Sequence, residues 1–597
     1  MKRIDFPPMS TLQLATITLL LGWLAASASA QNSDQSMVDD WSSHHVIFSD
    51  PGTVQDAMMN GRRAQWERIV NDPRYRMQQL RRGHPIAGQT AVPTAGLPLA
   101  QEVAAAKSNV SKETANGGRW DVPLGGPISD ADGQTDPFPA KYSFNALVAP
   151  CTDYVVFPIF AAGTTGQANI LGVKDLYTAC EGPEGGPTVV FAYLVGPGTI
   201  QTSPVISLDG KKVAFVETST AGSIFHILTL DPDGNIDCPS VCNGLDYSQP
   251  RRPCGLVIGG VEQPSPCPAP PAGYTNNAID VRITLRDLHQ TTRSSPYVDY
   301  DSDIAYVGDD SGVLHKIIGV FRGAAPTEEV TTNWPATVSG GSKISSPVVD
   351  PTTGNIFVGG NNGNIYCKTS TGVACTPNGQ ISVGSTTLTA PILDVSRRWL
   401  YAAAPEVVQV NMNLATSSLR EVSNVDGTRW VGALNDAYYD ITPVSGRTPY
   451  MYFCGDDDNL YRVGFDQTST PPMQMNLTTT GTLAIKNKGE CQAIIDAANP
   501  NNNTERLLFV TEAGNLTPCM GNGSDSCIYS ILLPATGEMP TAANVTRFRL
   551  PGPFFDDDHM PSNLVLDTVV PNASNIYFGT NTTTRPTGTQ LTQAGLD

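Results

Sequence analysis

The chain has 597 residues, of which 16% are charged and 40% hydrophobic, with 55 Gly and 47 Pro. That profile excludes a charge-driven disordered chain, a helical bundle and a multi-span membrane protein. Its 56 acidic against 37 basic side chains leave a formal charge of −19, which repels polyanions and argues against nucleic acid as a ligand.

Lys2 and Arg3 precede an apolar stretch from Leu12 to Ala26, and Ala28-Ser29-Ala30 supplies the small residues a signal peptidase needs. Residues 1–30 are read as a cleavable export signal. The apolar run is short for a membrane span, so no transmembrane segment is expected after cleavage. The protein is expected to be secreted, periplasmic or on the cell surface.

Residues 31–117 read as a short helical arm and a linker. Thr53 and Asp56 form a capping box that predicts a helix over 54–70. Asp72 and Pro73 are the N-cap and first position of a second helix to Arg82. Seven arginines lie between Arg62 and Arg82, opposite in sign to the rest of the chain. They suit either an arm lying on the acidic body or a contact for an anionic glycan, lipid or partner. His44 and His45, in the same segment, read as an exposed pair without further ligands. Residues 83–117, rich in Ala, Gly, Pro and Thr, read as linker.

From residue 118 a degraded unit recurs. Its sharpest copy is Ser346-Pro347-Val348-Val349-Asp350, then Asn355-Ile356-Phe357-Val358-Gly359, then Gly363-Asn364-Ile365-Tyr366. The unit reads as strand, turn, strand, turn, strand, with spacings mostly near 45 to 55 residues. Further copies start near Tyr154, Ser203, Ser295, Ala390, Ala437, Ala493 and Thr568. A small sheet with two apolar faces cannot bury both alone, so such units stack radially and close a ring that leaves no free edge. The expected fold is all-β: a single β-propeller of eight blades, seven being the alternative, over 118–580. The last copy reads as two strands before a Thr-rich tail at 581–597, so closure calls for a strand from the other end, for which Gly118-Arg119-Trp120-Asp121-Val122 is the candidate.

The Ser-Pro-Val-Val-Asp, Phe-Val-Gly-Gly and Gly-Asn-Ile-Tyr succession, followed by Thr369-Ser370-Thr371-Gly372, resembles the repeat of quinoprotein-type (PQQ-like) β-propellers. The resemblance implies the fold, and only weakly an activity, because such propellers include dehydrogenases, assembly scaffolds and binding proteins. The dehydrogenases stack PQQ on the ring axis, commonly against a vicinal disulfide, beside Ca²⁺. No adjacent Cys pair occurs in this chain, and most of the Trp residues that end each repeat in those enzymes are missing.

Twelve cysteines follow the export signal, which in an exported chain read as disulfides. Local pairs are Cys151 with Cys180, Cys367 with Cys375, Cys454 with Cys491, and Cys519 with Cys527. Cys238, Cys242, Cys254 and Cys267 lie in a Cys/Pro-rich insertion at 232–275, where crosslinks stand in for a core; a zinc site is the competing reading. Eight Asn-x-Ser/Thr acceptors occur, at Asn109, Asn476, Asn502, Asn515, Asn522, Asn544, Asn572 and Asn581.

Candidate site residues are few. Asp299, Asp301 and Asp303 alternate as hard oxygen ligands do in a Ca²⁺ loop, although Ile304 replaces the usual Gly. Asp231, Asp233, Asn235 and Asp237 repeat the idea around a turn, and His559 follows three aspartates. His315 aligns with Tyr366, Tyr461 and Phe225, a column read as packing. No Gly-x-Ser-x-Gly, His-Glu-x-x-His or phosphate-binding loop is present. No catalytic residue and no cofactor is assigned, and structural calcium is the ion that the aspartate patterns admit. The expected function is an exported binding or scaffold protein for a cell-envelope protein or polysaccharide. The alternatives are a PQQ-dependent oxidoreductase and a carbohydrate-active lyase or hydrolase.

Overall fold

A computed structural model describes residues 36–48, 51–82, 119–128 and 137–593. The last range excludes 181–186, 231–246, 258–260, 264–277, 287–290, 385–388, 423–431, 441–447, 486–492, 500–503, 512–526, 550–561, 570–573, 581–585 and a few single residues. The export signal, the 83–117 linker, His559, and the cluster of Asp231, Asp233, Asn235 and Asp237 lie outside the described residues.

Blade 4 shows how the repeat folds. Pro347 leads into Val348–Val349, and Asp350 then accepts from the Thr352 amide at 3.0 Å to close a turn that needs Gly354 at φ 70°. Ile356–Gly359, Asn364–Lys368 and Gln380–Ser382 complete a four-stranded antiparallel sheet. Both faces of the sheet are apolar, and Val348, Phe357, Val358 and Ile365 are buried.

Eight such sheets follow one another. Their first strands are Ala140–Ser143, Val205–Ile206, Tyr297–Asp299, Val348–Val349, Ile392–Asp394, Ala433–Leu434, Ile495–Asn499 and Val565–Asp567. We number them blades 1 to 8, and together they form an eight-bladed β-propeller.

Neighbouring blades are stitched at every junction. In the Ser-Pro copies the hydroxyl before the proline accepts the equivalent amide of the preceding blade: Phe138 N to Ser203, Ser203 N to Ser295 and Ser295 N to Ser346, at 2.8 to 2.9 Å. Beyond blade 4 the serine is absent and other pairs take over. Arg398 bonds Asp350 at 2.5 Å, Trp399 Nε1 donates to Pro472 O, the Asp436 amide to Glu505, and the Ala493 amide to Asn563. Tyr177 of blade 1 donates to Asp567 of blade 8 and closes the circle.

Closure in blade 8 uses Arg119–Pro123, which pairs antiparallel with Thr587–Gln593. The Thr-rich stretch read as a tail is therefore the third strand of that blade, since Thr suits strands as well as tails. Two other sequence readings move. Blade 6 starts at Ala433–Leu434, and Asp436–Tyr439 is a helical turn that turns Tyr438 toward blade 5, where its hydroxyl meets Asp394 at 2.7 Å. The Cys/Pro-rich insertion contains two strands, Cys254–Val257 and Val261–Gln263, that extend blade 2, the first running parallel to Ile279–Thr284.

Cys151–Cys180 and Cys367–Cys375 are disulfides, and Cys454 is disulfide-bonded. Cys491, Cys238, Cys242, Cys267 and Cys519 lie outside the described residues.

Candidate functional site

The N-terminal segment takes the centre of the wheel. Helices α1 (Val54–Met59) and α3 (Pro73–Arg81) start where the caps predict, with α2 (Arg63–Val70) between them. Thr53 and Asp56 make the capping box, and the Asp72 carboxylate accepts from the Arg74 amide. The single helix expected over 54–70 is broken, because Asn60-Gly61 ends the first turns with Gly61 at φ 66°.

Upstream of the helices, Val38–Asp39 pairs antiparallel with the first strand of blade 5, and Val46–Phe48 pairs parallel with that of blade 1. Blades 1 and 5 stand opposite each other in a ring of eight. Arg81 Nη2 donates to Val298 O of blade 3 at 2.8 Å, Arg74 Nη1 to Leu566 O of blade 8 at 2.7 Å, and Ser36 N to Tyr439 O at 2.6 Å. One segment reaches first strands on all sides only by running through the axis, so those strands are the innermost and residues 36–82 are the hub.

Its local chemistry explains why it stays there. The outer edge of Val46–Phe48 would leave backbone groups unpaired, and the Gln78 side chain satisfies them: Oε1 accepts from Phe48 N at 3.1 Å and Nε2 donates to Val46 O. Arg82 adds a donor to Phe48 O at 2.7 Å. Trp41, Val46, Phe48, Ile69, Tyr75 and Met77 join the same apolar cluster as Val348, Val349 and Val565 of the ring.

A polar knot lies among them. Asp39, fully buried, meets His44 Nε2 at 2.6 Å and the Tyr297 hydroxyl at 3.1 Å. Arg81 lies over the Tyr297 and Tyr300 rings at 4.8 and 5.2 Å. Burial pushes the Asp39 carboxyl up, but His44, Arg81 and Tyr297 together hold it below its ordinary value. Burial lowers His44 against the pull of Asp39, and lowers His45 further, with His44 and Arg81 adding to the effect. Both histidines are buried, not the exposed pair expected from sequence. Of the arginines that the charge pattern sets apart, Arg74, Arg81 and Arg82 serve as fasteners that cap strand carbonyls, and Arg81 also balances the buried Asp39 carboxylate.

The junction of blades 8 and 1 holds a second buried cluster. Lys141 lies 3.2 Å from Asp153 and 3.0 Å from Asp567, and Tyr177 donates to Asp153 at 2.6 Å. Burial raises Asp153 to about 6, against the opposing pull of Lys141 and the Tyr177 hydrogen bond.

His315 does more than pack. Its Nδ1 meets Glu328 at 2.6 Å and its Nε2 meets Asp309 at 3.4 Å. Blade 2 repeats the arrangement with His226 between Asp280 at 3.0 Å and Glu217 at 3.1 Å. His226 pairs across from Phe215 as His315 does from Val307, so the counterpart of His315 is His226 and not Phe225. Burial works to lower both imidazoles, but the flanking carboxylates win and raise each to about 9. In blades 4 and 6 the same column holds Tyr366 and Tyr461, whose hydroxyls bond Asn362 and Asp457 in the preceding turn. In these four blades the column holds a flat side chain with a polar end.

The proposed calcium ligands do not converge. Asp299 accepts from the Asp301 amide and the Ser302 hydroxyl, Asp303 accepts from the amides of Phe321, Arg322 and Gly323, and Asp301 is exposed. Asp303 sits at φ 59°, a position that turns its carboxylate into the 319–323 loop. Among the described residues no three His, Cys, Asp or Glu side chains group as metal ligands.

Two shallow clefts open between blades. One, of about 270 Å³ between blades 4 and 5, is lined by Asn355, Thr376, Arg398, Asn411 and Asn413. The other, of about 390 Å³ between blades 5 and 6, shares Asn411 and Asn413 with it.

PQQ, which the sequence resemblance implies, does not fit this molecule. The axial space it would need is filled by Asp39, Trp41, His44 and Phe48, all buried.

No family model and no curated protein matches the chain. Among solved structures, Sqt1 from Chaetomium thermophilum aligns with 78% of this chain and 98% of its own at 11% identity, with a TM-score of 0.43. Sqt1 from Saccharomyces cerevisiae aligns with 74% and 98% at 6% identity and a TM-score of 0.39. The WD40 β-propeller domain of Doa1 aligns with 64% and 90% at 11% identity and a TM-score of 0.32. At such scores the architecture rests on the eight sheets themselves, and none of these proteins informs the function.

Proposed function

We propose that the protein is an exported β-propeller that binds or scaffolds a component of the cell envelope, a protein or a polysaccharide, through the rim and loops of its ring. The observation that carries this reading is the filled hub. The axis, where the quinoprotein resemblance would place a cofactor, holds residues 36–82 instead, so what remains for a ligand is the outside of the wheel. The repeat's likeness to PQQ-type propellers is then a likeness of scaffold.

Export is supported by the leader-like residues 1–30 and by the disulfides Cys151–Cys180 and Cys367–Cys375, which persist in oxidising compartments. The cleft between blades 4 and 5 favours the polysaccharide: amide groups of Asn355, Asn411 and Asn413 with the Arg398 guanidinium suit sugar hydroxyls and uronate carboxylates.

Co-sedimentation of the purified protein with insoluble envelope polysaccharides tests the reading. Retention that falls several-fold in Asn355→Ala supports it. Binding to neither envelope polysaccharide nor envelope protein would refute it, as would dye reduction that depends on added PQQ and Ca²⁺. Release of soluble sugars would replace it with the carbohydrate-active reading.

A further inference from the structure

The eight Asn-x-Ser/Thr acceptors are not spread evenly. Seven of them, from Asn476 to Asn581, fall in blades 6 to 8, and the eighth, Asn109, precedes the ring. Blades 1 to 5 contain none.

Two of the seven are described, and both lie at the outer rim. Asn476 belongs to Gln474–Ala484, the outermost strand of blade 6. There the pairing jumps from Val463 opposite Thr480 to Gly464 opposite Asn476, so Leu477, Thr478 and Thr479 bulge out of the ladder and are exposed. Asn544 directly precedes Val545–Arg549, the outermost strand of blade 7, and Thr546 beside it is exposed.

The local geometry suits the chemistry. Asn476 Oδ1 accepts from the Thr478 amide at 3.1 Å and from the Thr478 hydroxyl at 2.7 Å. The carboxamide oxygen is therefore polarised by the acceptor threonine of the same triplet. Among the described residues nothing holds Nδ2, the atom that would react. The carboxamide oxygen of Asn544 is likewise held, by the amide and hydroxyl of Thr541, at 2.9 and 3.0 Å. Among the described residues nothing holds the Asn544 side-chain nitrogen either.

We propose that Asn476 and Asn544 carry N-linked oligosaccharides, making the rim of blades 6 and 7 a glycosylated arc and leaving blades 1 to 5, which hold no such acceptor, bare for contacts. The donor is an oligosaccharide on a lipid-linked pyrophosphate. The asparagine Nδ2 loses a proton to the transferase and bonds the anomeric carbon, whose bond to the pyrophosphate oxygen breaks. The lipid pyrophosphate leaves with that electron pair, and nothing is oxidised or reduced. The inference rests on export, not on the identity of the envelope ligand, so it stands or falls separately from the binding reading.

The full chain, secreted with its own leader from a eukaryotic cell, is digested with a peptide amidase that releases N-linked glycans in heavy-oxygen water. The expected result is a drop in intact mass, with the Asn476 and Asn544 peptides recovered as heavy-labelled aspartate. Thr478→Ala should remove one glycan and Thr478→Ser should keep it, which separates loss of the acceptor from loss of the fold. A chain that leaves the cell at bare polypeptide mass, or is not secreted at all, overturns the proposal. So does an Asn476 peptide that stays unlabelled.

Discussion

The hub and blades 2 to 4 are built from opposite kinds of information. Blades 2 to 4 are mainly local: their central strands pair with neighbours in sequence, as Ile304–Gly308 does with Val313–Ile318 and Ile356–Gly359 with Asn364–Lys368, and one serine column stitches them at 2.8 Å. The hub is nonlocal, holding blade 5 with Val38–Asp39, blade 1 with Val46–Phe48, and blades 3 and 8 with arginines. A repeat can specify a wedge, but the wide axis of eight wedges must be filled by something outside the repeat.

The largest expected effect falls on the hub. Arg81→Ala removes the donor to Val298 O and the cation that helps balance buried Asp39, leaving that carboxylate to the hydrogen bonds of His44 and Tyr297. The cost is about 3–5 kcal/mol, read as a fall in the thermal midpoint. Loss of well under 1 kcal/mol would make the hub an ornament.

Blades 2 and 3 come next, through pH. A histidine whose folded value is raised above its unfolded one stabilises fully below about 6.5 and loses that contribution as pH rises through the folded value. For His226 and His315 that value is about 9, so each should contribute about 2 kcal/mol at pH 7 that disappears by about pH 10. Denaturation midpoints across that range should fall in the native chain and fall less in His315→Gln. Equal slopes would contradict the carboxylate pairing.

The serine column should be weaker. Ser295→Ala leaves the Ser203 amide without its acceptor and should cost about 1 kcal/mol in denaturant unfolding. The smallest effect belongs to Arg63, whose exposed i,i+4 pair with Glu67 at 2.7 Å should yield under about 0.5 kcal/mol on Arg63→Ala. Arg63 and Arg81 look alike in a charge count, and this pair of variants shows how little the count says.

The same contrast marks what could be read from sequence. The eight copies predicted the ring, residues 118–122 its closing strand, which forms at Arg119–Pro123, and Thr53 and Asp72 the helix starts, because turns, caps and strand patterns are written in adjacent residues. The hub was not legible. Its arginines point at backbone carbonyls hundreds of positions away, as Arg74 does at Leu566, and a carbonyl has no sequence signature. His226 was missed by one residue of register, since Phe225 also suits a buried strand and only its cross-strand partner Phe215 fixes the alignment. Alternation misled at Asp299, Asp301 and Asp303, because a turn after Asp299 sends the Asp299 and Asp303 carboxylates to different amides while Asp301 is exposed.

Hydrogen exchange on the intact chain tests the filled axis most directly. The amides of Val38, Asp39 and Val46 to Phe48 should be protected as strongly as those of Ile392–Asp394 and Ala140–Ser143, to which they pair. If they exchange within seconds while the blade strands stay protected, residues 36–82 are a loose arm and the axis is open.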